Sequence, residues 1–588
     1  MPSYPLKPVD LEFFRMFTSQ MQIGQILLQH GKITEEQLDA GLREHYKNGD
    51  RLGMALVKLG YLTEEDVQRA LAEQLHLPFV RPVEMTIPKD VLDRIPAKLV
   101  SRYHLVPVAA QNGTISVACS DPQDIHMLDE LRLSLRAEDV EPLVATRKDI
   151  ADAIKKYYGI GAATVEELMA DREQDGVVDV FKEVEDIEEM DEDASIVRFV
   201  NQIIQEAMAE RATDIHVEPF EQELRIRYRI DGMLYEQAIP PSIKRFQSAI
   251  ISRIKIMADL NIAERRLPQD GKIKIKAGDK EFDLRVSTVP TAYGESVVIR
   301  ILSRDSELVN LAKLGLDHHN VSLLKGMIHK PHGIIFVTGP TGSGKSTTLY
   351  ASLLEINKTD KKILTVEDPI EYRIAGVTQV QVNEAIELNF KHVLRSFLRQ
   401  DPDVIMVGET RDPETASTAI QAALTGHLVF STLHTNDSCG AISRLLDMGI
   451  EPFLIASSVE GLIAQRLVRV LCPHCKQPTE LPTDVLRRVA GPGADLTDAT
   501  FFRPVGCEKC RFTGFRGRTA LYEIVRVDEE MRALIVDRQP ANVLKRHAMA
   551  KGARNIRMDG WLKIRTGVTT VDEVMRVTME DETAVEID

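Results

Sequence analysis

The spacing of apolar residues changes several times along the chain, and each change marks a new region. Near the start two segments repeat one another at an interval of 29 residues: Gln22–Gly31 (Gln-Ile-Gly-Gln-Ile-Leu-Leu-Gln-His-Gly) and Arg51–Gly60 (Arg-Leu-Gly-Met-Ala-Leu-Val-Lys-Leu-Gly). Each runs into Thr-Glu-Glu, at Thr34 and Thr63, and then into a second apolar-periodic stretch. Gly31 and Gly60 suit helix ends, and Thr34 and Thr63 suit the caps of the helices that follow. The pattern predicts a duplicated helix-turn-helix unit whose plainest reading is a small packing module.

Residues 80–158 mix short strands, Thr114–Ala118 and Leu143–Ala145, with helices over Met127–Leu135 and Asp149–Tyr157. This closes a first domain, 1–158. Asp171–Asp193 then carries twelve acidic residues against two basic ones, which predicts a solvated linker within 159–194 and a first module that is mobile on its tether. Order resumes with a helix over Ile196–Ala209 and strands over Leu224–Ile230 and Phe282–Val289, with a turn expected at Leu267–Lys272. Residues 195–305 read as a small α+β domain. In 306–588, compact apolar strands (Gly333–Thr338, Lys362–Val366, Val404–Val407, Leu428–Thr432) alternate with helices, as a mostly parallel α/β sheet requires.

Bulk properties narrow the class. A chain of 588 residues exceeds what one core usually supports, so several domains are expected. No run of about 18 apolar residues occurs, and Met1–Met21 lacks a basic segment followed by an apolar one, so the expectation is a cytoplasmic protein with no membrane span and no secretory signal. A formal net charge of −16 argues against an extended nucleic-acid track, because a phosphate backbone rewards lysine and arginine density.

The chemistry concentrates at strand ends. Gly339-Pro340-Thr341-Gly342-Ser343-Gly344-Lys345-Ser346 follows one predicted strand and opens a helix, the setting of a nucleotide phosphate loop. Glycines free the backbone N–H groups, Lys345 reaches the β and γ phosphates, and Ser346 suits Mg2+. Glu409 ends Val404–Glu409, where Gly408 stands in the place usually held by an Asp, and is expected to organise Mg2+ and water. Thr365–Glu371 ends another strand; Glu367 is the leading general base there, with Asp368 and Glu371 as competitors and loop-pinning as its alternative role. His427 and His434 bracket a further strand, and His434 is the candidate sensor of the γ-phosphate.

Alternation places Arg225, Arg227 and Arg229 on one strand face, where they either meet nucleotide phosphates or form a salt-bridged solvent face; Arg265, Arg266, Arg285 and Arg300 are further donors of the same kind. Of six cysteines, four form two pairs, Cys472-Pro-His-Cys475 and Cys507-Glu-Lys-Cys510, the spacing of a structural tetrahedral Zn2+ site, with redox pairs, an iron–sulfur centre and core thiols as alternatives.

Taken together, these motifs resemble the secretion ATPase superfamily that drives type II secretion and type IV pilus assembly. The likeness rests on the phosphate loop Gly339–Thr347, the acidic box Thr365–Glu371, the strand Val404–Glu409, the histidine box Gly426–Asn436, and Asp214–Pro219, Arg227–Gly232 and Ala263–Gly271. It implies a RecA-like motor in a homohexameric ring, docked on an inner-membrane platform protein and an adaptor. It further implies that Glu367 acts on water and that Arg227 and Arg229 contact phosphate. The tetracysteine insertion resembles secretion and pilus-extension members; secretion is the preferred assignment and pilus extension its alternative. The 29-residue repeat is similar to a cyclic di-GMP-binding domain of such ATPases, which implies a role for Gly24, Leu27, Gly31, Arg51, Leu52, Gly53, Leu56, Gly60 and Gln74, with adaptor docking as the other reading. Two different classes stand beside this one: a non-catalytic nucleotide-gated interaction protein, and a nucleic-acid translocase.

Overall fold

The computed structural model describes residues 19–588 except 112, 136–138, 163, 167, 169–193, 278–279, 304–309, 491–498 and 579–588. The acidic segment Asp171–Asp193 therefore lies outside the described residues. The chain forms two compact units, Met1–Ile275 with Asp283–Ile301, and Lys276–Phe282 with Leu302–Asp588.

The first unit opens on the repeat, with helices Ser19–Gln29, Glu35–Asn48, Leu52–Lys58 and Glu64–Leu75. Thr34 and Thr63 cap as expected: the Thr34 hydroxyl accepts from Gln37 N (3.3 Å) while Gln37 accepts from Thr34 N (2.9 Å), and Thr63 makes the same exchange with Asp66. Leu27, Leu52 and Leu56 are fully buried in the bundle core with Ile23, Ile33, Leu62 and Ala70. Gly53 is small because Val67 lies against it; a Cβ there would sit 2.4 Å from a Val67 methyl.

Strands β1 (Leu105–Gln111), β2 (Thr114–Cys119) and β3 (Asp139–Val144) follow, with the helix Arg147–Tyr158. Next, the helix Ala194–Ala209 buries its apolar face against a six-stranded sheet ordered β6-β5-β4-β9-β8-β7. Its strands are β4 (Asp214–Pro219), β5 (Leu224–Ile230), β6 (Met233–Glu236), β7 (Gln269–Ala277), β8 (Lys280–Thr291) and β9 (Gly294–Ser303).

One expectation is corrected in this unit. The turn at Leu267–Lys272 is shorter than predicted: Gln269, Asp270, Gly271 and Lys272 already belong to β7, because an edge strand tolerates a glycine that propensity reads as punctuation. The first module also contacts the small domain. Lys155 Nζ donates to Glu206 Oε2 (2.8 Å) and pairs with Glu210, Ile160 N donates to Ala238 O (2.8 Å), and Gly161 packs under the Phe199 ring. The module is joined to the small domain by charge and packing.

The second unit is built on a seven-stranded sheet ordered β12-β11-β13-β14-β10-β15-β18. These are β10 (Gly333–Thr338), β11 (Ile363–Glu367), β12 (Val377–Gln381), β13 (Val404–Val407), β14 (Leu428–Leu433), β15 (Val459–Leu471) and β18 (Phe515–Arg526). All pairs are parallel except β15 with β18. Parallel strands covered on both faces explain the near-continuous apolar runs of β10, β13 and β14. Between β15 and β18 lies the cysteine-bearing insertion with the small hairpin β16 (Gln477–Thr479) and β17 (Phe501–Arg503). Helices between Glu529 and Thr578 follow β18.

Candidate functional site

Because β10, β14, β13 and β11 run parallel, their C-terminal ends lie along one edge of the sheet, and Thr338 pairs with Leu433 while Val366 pairs with Val407. The residues that follow those ends therefore gather there: the phosphate loop after Thr338, His434 after Leu433, Glu409 two residues beyond Val407, and Glu367 at the tip of β11. The loop Gly339–Gly344 leads into the helix Lys345–Ile356. Gly339, Gly342 and Gly344 all have positive φ, and β15 crowds the loop: a Cβ on Gly339 would meet Gln465 O at 2.6 Å, and one on Gly344 would meet Gln465 Nε2 at 2.8 Å. Only glycine fits both demands.

The Lys345 ammonium donates to Gly339 O (2.9 Å) and Pro340 O (3.1 Å). Burial holds it below the ordinary lysine value; Glu409 opposes that shift and Arg466 adds to it. The Ser343 hydroxyl is buried with no hydrogen-bond partner among the described residues, whereas Pro340, Thr341 and Ser346 are exposed and Thr347 is half-buried. An orphaned hydroxyl, backbone amides at a helix start and a lysine are a donor set that fits nucleotide phosphates.

Glu409 is largely buried, with Arg411 Nη2 at 2.6 Å and His434 Nε2 at 3.7 Å. Acid and imidazole from two strands thus meet beside the loop. His427 does not join them. It sits at the other end of β14, where Nδ1 contacts Ala422 O (2.9 Å) and its carbonyl accepts from Gly333 N, so its role is to close a helix-to-strand turn.

Glu367 is 4% exposed and fully engaged. One oxygen accepts from Thr365 Oγ1 (2.6 Å) and Gln379 Nε2 (3.0 Å), and the other accepts from the Tyr350 hydroxyl of the helix after the phosphate loop. Burial, and next the neighbouring Glu367, push the Tyr350 phenol well above its ordinary value. These ties give weight to the loop-pinning alternative. Asp368 is exposed, and Glu371 N donates to the Tyr350 oxygen at 3.2 Å.

Sequence reasoning missed Tyr350, Gln465, Arg466 and Tyr522. Thr348 Oγ1 donates to Gln465 Oε1 (2.8 Å) and lies 3.2 Å from the Tyr522 hydroxyl, while Arg466 Nη2 donates to Asn436 O (2.9 Å). The available signal was Gln465-Arg466 inside a strand otherwise apolar enough to be fully buried.

In the small-domain sheet the alternation of β5 holds: Leu224, Ile226 and Tyr228 are buried and the arginines take the other face. Each is paired. Arg227 grips Glu218 through Nε and Nη2 (both 2.7 Å), Arg229 donates to Gly232 O (3.0 Å) and lies 3.7 Å from Asp214, Arg225 pairs with Glu223, Arg266 with Glu264, and Arg300 with Asp214 (3.0 Å). Arg265 lines a small cleft with Glu295, and Arg285 also has interaction partners.

The four thiols of Cys472, Cys475, Cys507 and Cys510 all lie within 4.8 Å of one another, with Cys472–Cys507 at 3.9 Å, Cys475–Cys510 at 3.7 Å and Cys507–Cys510 at 3.7 Å. Sulfurs about 2.3 Å from a tetrahedral centre stand about 3.8 Å apart, so the spacing fits one metal ion. Backbone N–H groups of Cys507 (3.1 Å) and Gly514 (3.3 Å) point at Cys510 Sγ and, against the upward push of burial, bring this thiol down to about 7.

In the repeat, Gly24, Leu27, Leu52, Gly53 and Leu56 are buried, and Gly31 and Gly60 take positive φ at helix ends. Packing accounts for all of them, and Gln74 is half-buried with its own partners. Arg51 differs: it is exposed, and its Nη2 pairs with Asp121 Oδ2 at 2.8 Å.

Residues 189–576 match the family described as Type II/IV secretion system protein, and residues 75–164 match the MshEN domain. This chain belongs to the type II/IV secretion system protein family. The type IV pilus assembly ATPase PilB of Myxococcus xanthus is 43% identical over 566 residues, covering 95% of this chain and 99% of the relative. The type II secretion system protein E of Xanthomonas campestris is 41% identical over 573 residues, again 95% and 99%. That of Pseudomonas aeruginosa is 51% identical over 406 residues, 69% of this chain and 80% of the relative. This family member is thus an ATP-hydrolysing enzyme with an α/β motor and an MshEN domain. The MshEN match begins at residue 75, so it covers the mixed domain rather than the helical repeat. No helix among the described residues of the secretion ATPase is long and apolar enough to cross a membrane.

Proposed function

We propose that this secretion ATPase acts as a cytoplasmic homohexamer that powers pseudopilus assembly for type II protein secretion, bound to the inner membrane through a platform protein and an adaptor. The observation that carries the reading is the convergence of Lys345, Glu409 and His434 on one sheet edge beside the phosphate loop. There the loop amides and Lys345 hold the β and γ phosphates of ATP, Ser346 and Glu409 hold Mg2+, and His434 answers to the state of the γ-phosphate. Mg2+ supplies charge neutralisation on the phosphoryl oxygens.

Glu367 takes the role of water-activating carboxylate, with Tyr350, Thr365 and Gln379 setting its place. Asp368 and Glu371 remain its competitors. Arg227 and Arg229 are the proposed phosphate contacts, and their acidic partners Glu218 and Asp214 must yield for that contact to form.

The four cysteines hold a structural Zn2+ that fixes the start of β18. Cyclic di-GMP is the proposed ligand of the repeat, with Arg51 as its phosphate contact. Pilus extension is the second reading, favoured by the 43% identity to a pilus assembly ATPase across nearly both whole chains.

The test is phosphate release by the full-length protein. Turnover that collapses in the Glu409→Gln variant supports the reading, whereas nucleotide binding without release in the unaltered protein overturns it. Restoration of secretion, but not of piliation, in cells lacking each motor separates the two uses.

A further inference from the structure

From the last residue of the histidine box onward, the segment Asn436–Gly440 is fastened from four directions. Arg466 of β15 donates to Asn436 O (2.9 Å) and Oδ1 (3.2 Å). Thr338, the last residue of β10 before the phosphate loop, donates to Asp437 O (3.3 Å). From β18, Glu523 Oε1 accepts from both Ser438 N (3.0 Å) and the Ser438 hydroxyl. Lys545, on the helix Ala541–Ala550, lies 3.7 Å from Glu523 Oε2 and 3.9 Å from Asp437 Oδ2.

Glu523 is the unusual member of this set. It is 2% exposed, its Oε2 has no hydrogen-bond partner among the described residues, and nothing in the proposed chemistry uses it. A buried carboxylate costs free energy unless it is paired and hydrogen-bonded, so its placement needs a reason. Its neighbour Tyr522, also buried, projects from the opposite face of the strand and lies beside Thr348 on the helix that leaves the phosphate loop. Two consecutive residues of β18 therefore support both sides of the nucleotide site: Tyr522 the phosphate-loop helix, Glu523 the segment that follows His434.

We infer that Glu523 is a positioning residue for His434, and that Lys545 ties its setting to the C-terminal helices. The Lys545 ammonium stands between two carboxylates, just beyond hydrogen-bond reach of either. A small shift of the Ala541–Ala550 helix brings it onto one acid or the other, and Ser438 follows. This rests on the proposed part of His434 in hydrolysis, so the test separates the two ideas.

In the full-length protein, Glu523→Gln keeps an acceptor for Ser438 and loses the charge facing Lys545; Lys545→Met removes the cation from the other side. Each is expected to lower kcat for ATP by about fivefold while KM moves less than about twofold, since nucleotide contacts stay in place. Combining Glu523→Gln with His434→Ala is expected to slow the enzyme no more than His434→Ala alone. Multiplied losses, or a His434→Ala enzyme that runs at full rate while Glu523→Gln is slow, overturn the route through His434. Hydrogen exchange gives a readout that needs no turnover. Faster exchange at Asp437–Gly440 in both variants, with β10 unchanged, supports the positioning role even if hydrolysis has another chemistry; unaltered exchange in that segment overturns it.

Discussion

The phosphate-loop edge and the helical repeat both announce themselves by short glycine-bearing motifs, yet the two motifs do different work. At the sheet edge the signature residues present polar atoms: an orphaned Ser343 hydroxyl, a desolvated Lys345, and Glu409 within 3.7 Å of His434. In the repeat, the signature leucines are fully buried and Gly53 is a seat for Val67, so the spacing encodes helix packing. The lesson is that a motif at strand ends reports chemistry, because parallel sheets bring those ends together. A motif of leucine and glycine at helical spacing reports a core first, and only its exposed polar member is informative about ligands.

The contrast can be broken at either end. Lys345→Ala should carry the largest effect, a fall in ATP turnover of more than about 100-fold with the fold intact, measured as phosphate release and circular dichroism. Glu409→Gln and Glu367→Gln should each cost about 10- to 100-fold, but Glu367→Gln should also lower the melting temperature, since Tyr350, Thr365 and Gln379 lose a shared anion. Equal melting temperatures for the two variants would remove the pinning role. In the repeat, Leu56→Ala should destabilise the bundle by about 2–5 kcal/mol in denaturant unfolding, with little change in ATP turnover. Arg51→Ala should be the mildest for stability, under about 1 kcal/mol for an exposed pair with Asp121, and yet remove cyclic di-GMP affinity in calorimetry. Undiminished binding in that variant would return the whole motif to packing.

Much of this was legible in the sequence for identifiable reasons. The four parallel strands stood out because burial on both faces leaves no polar alternation to interpret. The caps at Thr34 and Thr63 stood out because a threonine before an acidic first turn has few other uses. Hidden were the contacts made by residues without a motif of their own. Tyr350 sits among helix residues that read as core, Gln465 and Arg466 interrupt a buried strand, and Glu523 lies 85 residues beyond Ser438, which it holds. Their partners come from distant positions in the chain, which no local spacing encodes. The same holds for Glu218 and Asp214, which neutralise an arginine face that alternation alone presents as uncompensated.

Gly408 carries one more consequence. A Cβ at this position would stand 3.2 Å from Val366 O and 3.3 Å from Glu367 Cα, tighter than ordinary contact on a backbone that cannot swing aside. The second acid that such a strand usually offers would have to press the neighbouring strand aside by a few tenths of an ångström. Glycine there lets the two strands run close at their tips: Gly408 N donates to Val366 O at 2.8 Å, which bonds the residue before Glu409 to the residue before Glu367. The two acids proposed for hydrolysis are thus tied at their roots by a backbone hydrogen bond.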